Sequence, residues 1–138
     1  MTSKTTKIVF WATTILFAVF LGWSAVMYLT EAPKMTATMT HLGYPLYFMK
    51  ALGVAKLLGI AALLFGPARL REWAYAGFTF DLLGASVSHL SSGDGIATAA
   101  VPIAFLALLA ASYVMARRLG ITSIATPLLA HRPAHARA

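Results

Sequence analysis

The sequence predicts an all-α integral membrane protein, a bundle of four membrane-spanning helices with a short interfacial helix between the first and second spans. Three observations predict it. Of the 138 residues, 59% are hydrophobic and only 11% are charged, where a soluble domain carries about 25% charged residues. Four long apolar runs are separated by short breaks that contain Gly, Pro or charged residues. The basic residues flank these runs instead of clustering on one polar face, which fits membrane orientation better than nucleic-acid binding for a chain of net charge +7.

The first run, residues 8–29, carries no charge and is long enough to cross a hydrocarbon core of about 30 Å. Lys4 and Lys7 before it imitate a signal peptide. The run exceeds the usual apolar length of about 7–15 residues, however, and no small-residue cleavage site follows it, so a retained helix is expected. The connection over residues 30–43 is read as a short amphipathic helix at the membrane surface. Pro33 suits its start, Met35, Met39 and Leu42 share a face, and Gly43 is a natural left-handed stop. The competing reading is a polar, threonine-rich loop.

The second span, residues 45–65, ends at Gly66-Pro67. A turn holding Arg69, Arg71 and Glu72 leads into the third span, residues 73–90. Ser91-Ser92-Gly93-Asp94-Gly95 turns the chain again, with Asp94 expected to cap the fourth span, residues 96–116. Pro102 is expected to kink that span. All 138 residues form one transmembrane domain in this reading, and the tail 117–138, without periodicity, is expected to be flexible or interfacial.

Orientation follows from charge. Lys4, Lys7, Arg69, Arg71, Arg117, Arg118, Arg132 and Arg137 fall on one side of a four-span model, and only Lys34 lies in a loop on the other. Both termini are therefore expected in the cytoplasm, in a multi-pass protein of the inner, cytoplasmic membrane.

One ionisable residue sits near the middle of each of the second and third spans, where a charge is costly and marks a functional hypothesis. Lys56 lies nine residues in from Tyr47, and Asp81 eight residues in from His89, so their depths are about 13 and 12 Å on adjacent antiparallel helices. They can meet as partners, either as a neutralised pair that fixes helix register or as working acid and base. Ala74, Gly77, Asp81, Gly84, Ala85 and Ser88 form one stripe of mostly small residues, which predicts close helix approach.

Nearer the outer surface, His41, Tyr44, Ser88 and His89 could extend a polar path to Asp81, suited to proton movement or to holding a polar head group. Asp81, Lys56 and His89 are the candidate catalytic residues, and His41, Ser88 and Tyr44 the candidate cofactor-binding ones. No metal site is expected, because His41 and His89 have no local ligand spacing with Glu31 or Asp94. No glycine loop cradles a nucleotide, and His89 lacks a partner histidine at matching depth for haem. The absence of cysteine removes thiol chemistry.

Several of these residues together resemble the DoxX-like family of small membrane proteins. They are His41-Leu-Gly-Tyr-Pro45, Leu52-Gly53, Lys56-Leu-Leu-Gly59, and Arg69 through Gly77, followed by Phe80-Asp81, Gly84-Ala85, Ser88-His89 and Gly93-Asp94. The resemblance implies a four-helix membrane fold with this topology; the family takes its name from a small subunit associated with a quinone-reducing, sulfur-oxidising complex, and many members have no assigned activity. Cysteine pairs of related redox-associated proteins have no counterpart here. A quinone-like lipophilic ligand in a pocket open to the outer side, in a redox-associated membrane subunit, is the leading expectation. Its partners would be the lipid bilayer, that ligand, and a second copy or a redox protein docking on the fourth helix. The alternatives are an intramembrane enzyme doing acid–base isomerisation or cyclisation on an apolar substrate, and a structural or assembly protein. A transporter is the weakest option, since no inverted repeat is visible.

Overall fold

A computed structural model describes residues 3–123. Five α-helices are present among them: α1 (Ser3–Leu29), α2 (Pro33–Leu42), α3 (Leu46–Phe65), α4 (Ala68–Ser91) and α5 (Gly95–Arg118). α1, α3 and α5 are each long and apolar enough to cross a membrane. α4 has the length but is more polar.

The long helices form a ring in the order α1, α3, α4, α5, with α1 and α4 on opposite corners. Paired contacts run in opposite directions along every neighbouring pair. Gly53 meets Leu29, whereas Gly22 faces Ile60, so α1 and α3 are antiparallel. Thr14 meets Ser112, and Phe20 meets Phe105, which makes α1 and α5 antiparallel too. Short turns impose the same sense on α3–α4 and α4–α5.

On α1 the inward stripe is Phe10, Thr14, Phe17, Leu21 and Ala25, at the three- and four-residue spacing of one helix face. Ile15, Val19, Trp23 and Val26 on the other side are exposed. Apolar residues on both faces are what a helix between protein core and lipid requires, whereas a soluble helix would be polar outside. The core is centred on Phe17 packed edge-on against Phe78 at 5.0 Å, a contact that crosses the ring between α1 and α4.

A buried hydroxyl cluster ties three helices together. Ser112 Oγ lies 2.6 Å from Thr14 Oγ1 and 2.7 Å from the Tyr75 hydroxyl. Because hydroxyls both donate and accept, three of them satisfy one another where no water is available.

Several expectations need adjusting. α4 begins at Ala68, not near residue 73, and the break from α3 is only Gly66-Pro67. Arg69, Arg71 and Glu72 are good helix formers at the end of the bundle, so their charge marks depth without stopping the helix. α2 is a helix, ended by Gly43 in the left-handed conformation (φ 84°). The chain reverses before it at Glu31, which also adopts positive φ (53°). Pro102 lies within α5 without ending it. Asp94 stands at the α5 N-cap position but makes no capping hydrogen bond. Of the tail over residues 117–138, Arg117 and Arg118 close α5 and Ile121 packs on the core, while residues 124–138 lie outside the described part.

The small-residue stripe of α4 also behaves differently from expectation. A Cβ added at Gly77 or Gly84 would meet nothing within 4 Å. The close approaches lie on α3, where a Cβ at Gly59 would come within 2.8 Å of the Phe78 ring, and one at Gly53 within 2.9 Å of Leu29. On α4 the missing side chains leave space.

Candidate functional site

That space surrounds the ionisable pair. α3 and α4 bring Lys56 and Asp81 together with Nζ 3.6 Å from Oδ2, too long for a direct hydrogen bond but close enough for an ion pair. Lys56 is buried and Asp81 partly so. The ammonium also reaches α1, with Ser24 Oγ at 3.4 Å and the Tyr28 ring centroid 4.3 Å beneath it. Cation–π attraction of this kind strengthens where water is excluded. Ser24 and Tyr28 were not legible in the sequence because residues 8–29 of α1 carry no charge to mark a working face. A serine and a tyrosine four residues apart on one helix face are the only signal it offers.

Two cavities adjoin the pair. One, of about 220 Å³, runs along the α3–α4 groove past Gly59, Trp73, Gly77 and Phe78. The other, of about 170 Å³, lies toward α2, between Tyr28, Tyr44, Phe48, Gly84 and Ser88, under Met39 and Leu42. Leu52, Lys56 and Asp81 line both, so the pair stands where the two spaces meet. Gly77 opens the first and Gly84 the second. For scale, an apolar cavity of about 150 Å³ accommodates benzene.

α2 is fastened over the second cavity by polar contacts. The Asp94 carboxylate, from the α4–α5 turn, lies between two histidines, with His41 Nε2 2.5 Å from Oδ1 and His89 Nδ1 2.6 Å from Oδ2. Tyr44 and Ser88 share a hydrogen bond of 2.7 Å between their hydroxyls. Glu31 and Lys50 form an ion pair at 2.6 Å. Tyr44 stacks on Phe48, with centroids 5.0 Å apart.

All six candidate residues thus fall in one continuous region, but in two layers. Lys56 and Asp81 form the inner layer. His41, Tyr44, Ser88 and His89 form the outer one, the two histidines joined through Asp94 and Tyr44 joined directly to Ser88. That aspartate, expected as a helix cap, instead bridges the two imidazoles. Among the described residues, no three His, Asp or Glu side chains are arranged to hold a metal.

Hydrogen bonds from His89 and His41 hold the Asp94 carboxyl below its ordinary value of 3.8. A carboxyl depressed in the folded state contributes stability that is fully present above its unfolded value and disappears as pH falls through the folded one. The fastening of α2 should therefore hold down to about pH 4 and fail in stronger acid. Hydrogen exchange of residues 33–42 across that range checks this. Asp94→Asn should raise exchange at neutral pH and abolish its acid dependence.

Five helices, of which three have the length and composition of membrane spans, and an ion pair sheltered between cavities define a multi-pass α-helical membrane protein with an internal polar site. A family model described as the DoxX-like family matches residues 12–112. The chain belongs to that family. No curated protein and no solved structure matches the chain significantly.

Proposed function

We propose that this DoxX-like protein binds a lipophilic small molecule, quinone-like in having a carbonyl- or hydroxyl-bearing ring, at the Lys56–Asp81 pair. It serves there as a redox-associated membrane subunit. The observation carrying this reading is that two ring-sized cavities meet at the pair. A pair serving only to fix helix register would be closed and dry, with its charges in direct hydrogen-bonded contact. Here the charges stand 3.6 Å apart and line two largely apolar cavities. Either charge can meet a ligand oxygen, with Lys56 donating and Asp81 accepting or, once protonated, donating. Apolar walls with few convergent polar groups are the ordinary composition of a small-molecule site.

In this reading α4 is the third of four spans, at about 36 Å for its 24 residues. Its lower apolarity is compensated inside the bundle: Asp81 faces Lys56, Tyr75 bonds Ser112, and Ser86 donates to the Ala99 carbonyl at 2.9 Å. Both termini then face the cytoplasm by the bias of the basic residues, in the inner membrane, with α2 lying on the outer surface and the α2-side cavity opening that way. Exposed Trp73 and Phe80 flank the α3–α4 groove, so a lipophilic ligand can enter sideways from the bilayer. His89 and His41, with Tyr44 and Ser88, would carry protons or hold polar substituents near that opening. The exposed face of α5, with Ile96, Val101, Ile103 and Val114, is the surface for a second copy or a redox partner.

The test is saturable binding of a short-tailed benzoquinone to the purified protein in detergent, followed by quenching of intrinsic tryptophan fluorescence. Saturation by the wild-type protein, weakened at least tenfold by Asp81→Asn, is the expected result. Linear, non-saturable partitioning that is indifferent to Asp81 would remove the basis of this reading.

A further inference from the structure

At the end of the bundle opposite the histidines, a third cavity of about 370 Å³ is lined by Lys7, Phe10, Trp11, Arg71, Leu119 and Ile121. Its two cations come from different helices, α1 and α4. Neither has an acidic partner among the described residues. Arg71 spends one nitrogen, Nη2, on the Leu64 carbonyl at 3.4 Å. Its Nε is buried and has no hydrogen-bond partner among the described residues. A buried charged donor left unpaired is costly, and such a group calls for an explanation. The same end of the bundle carries Lys4, Arg69, Arg117 and Arg118, against Glu72 as the one acidic residue among the described residues there. Glu72 accepts from the Tyr113 hydroxyl at 3.4 Å.

We propose that this cavity holds the phosphate of an anionic amphiphile, a membrane phospholipid head group, between Lys7 and Arg71. A phosphate supplies several acceptor oxygens, and the Arg71 guanidinium on the cavity wall can bind it through paired N–H donors, a geometry that a single-atom ion does not match. Lys7 adds a mobile point charge from the facing helix. The remaining walls favour a lipid over a free ion. Trp11, 45% exposed, stands where indoles settle at membrane interfaces, and Leu119 and Ile121 offer apolar surface for a glycerol backbone. Basic pockets between helices at a membrane face are a recurrent setting for anionic head groups. The site is separate from the Lys56–Asp81 pair and shares no lining residue with either cavity there.

The full chain in neutral detergent is titrated with phosphatidylglycerol, phosphatidylcholine or inorganic phosphate, and bound species are read by native mass spectrometry beside thermal unfolding. Phosphatidylglycerol is expected to be retained and to raise the unfolding temperature, and phosphatidylcholine to do neither. Lys7→Gln should weaken phosphatidylglycerol binding about fivefold, the loss of one cation's attraction to an anionic lipid. Arg71→Gln should weaken it more, and Arg69→Gln, a change outside the cavity, should not. Equal stabilisation by inorganic phosphate, lost with Lys7→Gln, would support the same phosphate chemistry and identify a free anion as the occupant. Equal binding of the two lipids, or an undiminished preference in Lys7→Gln, would overturn the proposal. Should Arg71→Gln fail to fold for want of its bond to Leu64, the lysine variant decides alone.

Discussion

Replacing Asp81 with Leu should destabilise the protein by about 2–3 kcal/mol, and adding Lys56→Met should recover most of that loss without recovering ligand binding. Removing one member of a buried pair strands the other charge, at a typical cost of about 3–5 kcal/mol. The lower figure is expected here because the charges are 3.6 Å apart and Lys56 keeps Ser24 and the Tyr28 ring. Asp81 also retains some exposure, which softens the penalty further. The double variant replaces both charges with apolar groups of similar length, and such replacements are often neutral or stabilising. Stability therefore separates the pair's structural contribution from its chemical one. Unfolding in detergent, monitored by tryptophan fluorescence, gives the first half of the result, and quinone binding gives the second. A double variant that is stable and still binds the quinone would reduce the pair to a register-fixing device.

Ser112→Ala is expected to cost about 1–3 kcal/mol, although it deletes a single oxygen. That oxygen serves two partners, Thr14 and Tyr75, at 2.6 and 2.7 Å. The two do not suffer equally when it goes. A helical threonine can turn its hydroxyl to a carbonyl one turn back, as Thr13 does to the Val9 carbonyl at 2.8 Å. Tyr75 has no such local alternative, because its hydroxyl stands far from its own backbone. Most of the penalty therefore falls on the phenol, which keeps only Thr14 beside it, and the pair Ser112→Ala with Tyr75→Phe should be more stable than Ser112→Ala alone. A double-variant cycle measured by thermal unfolding checks this, and strict additivity of the two losses would contradict the shared network.

The sequence by itself determined the helical class, the approximate places of the long helices and the depth match of Lys56 with Asp81, and it offered the helix before Gly43 as one of two readings. These depend on local or one-dimensional quantities: apolar run length, turn residues and rise per residue, none of which needs a partner helix. The DoxX-like resemblance rested on the same stretch, between His41 and Asp94, where polar residues punctuate apolar ones. The ring order α1, α3, α4, α5 was not legible, because helices apolar on all sides do not declare which neighbour they face.

For the same reason Ser24 and Tyr28 could not be assigned to Lys56, nor Thr14 and Tyr75 to Ser112. Asp94 was read as a helix cap because capping is local, whereas its histidine partners are five and fifty-three positions away. Gly77 and Gly84 show the limit most clearly. A stripe of small residues states that side chains are missing, and either a neighbouring helix or empty volume can take their place. Only the tertiary structure decided between them: Gly53 and Gly59 on α3 admit close neighbours, while Gly77 and Gly84 on α4 open the cavities beside Lys56 and Asp81.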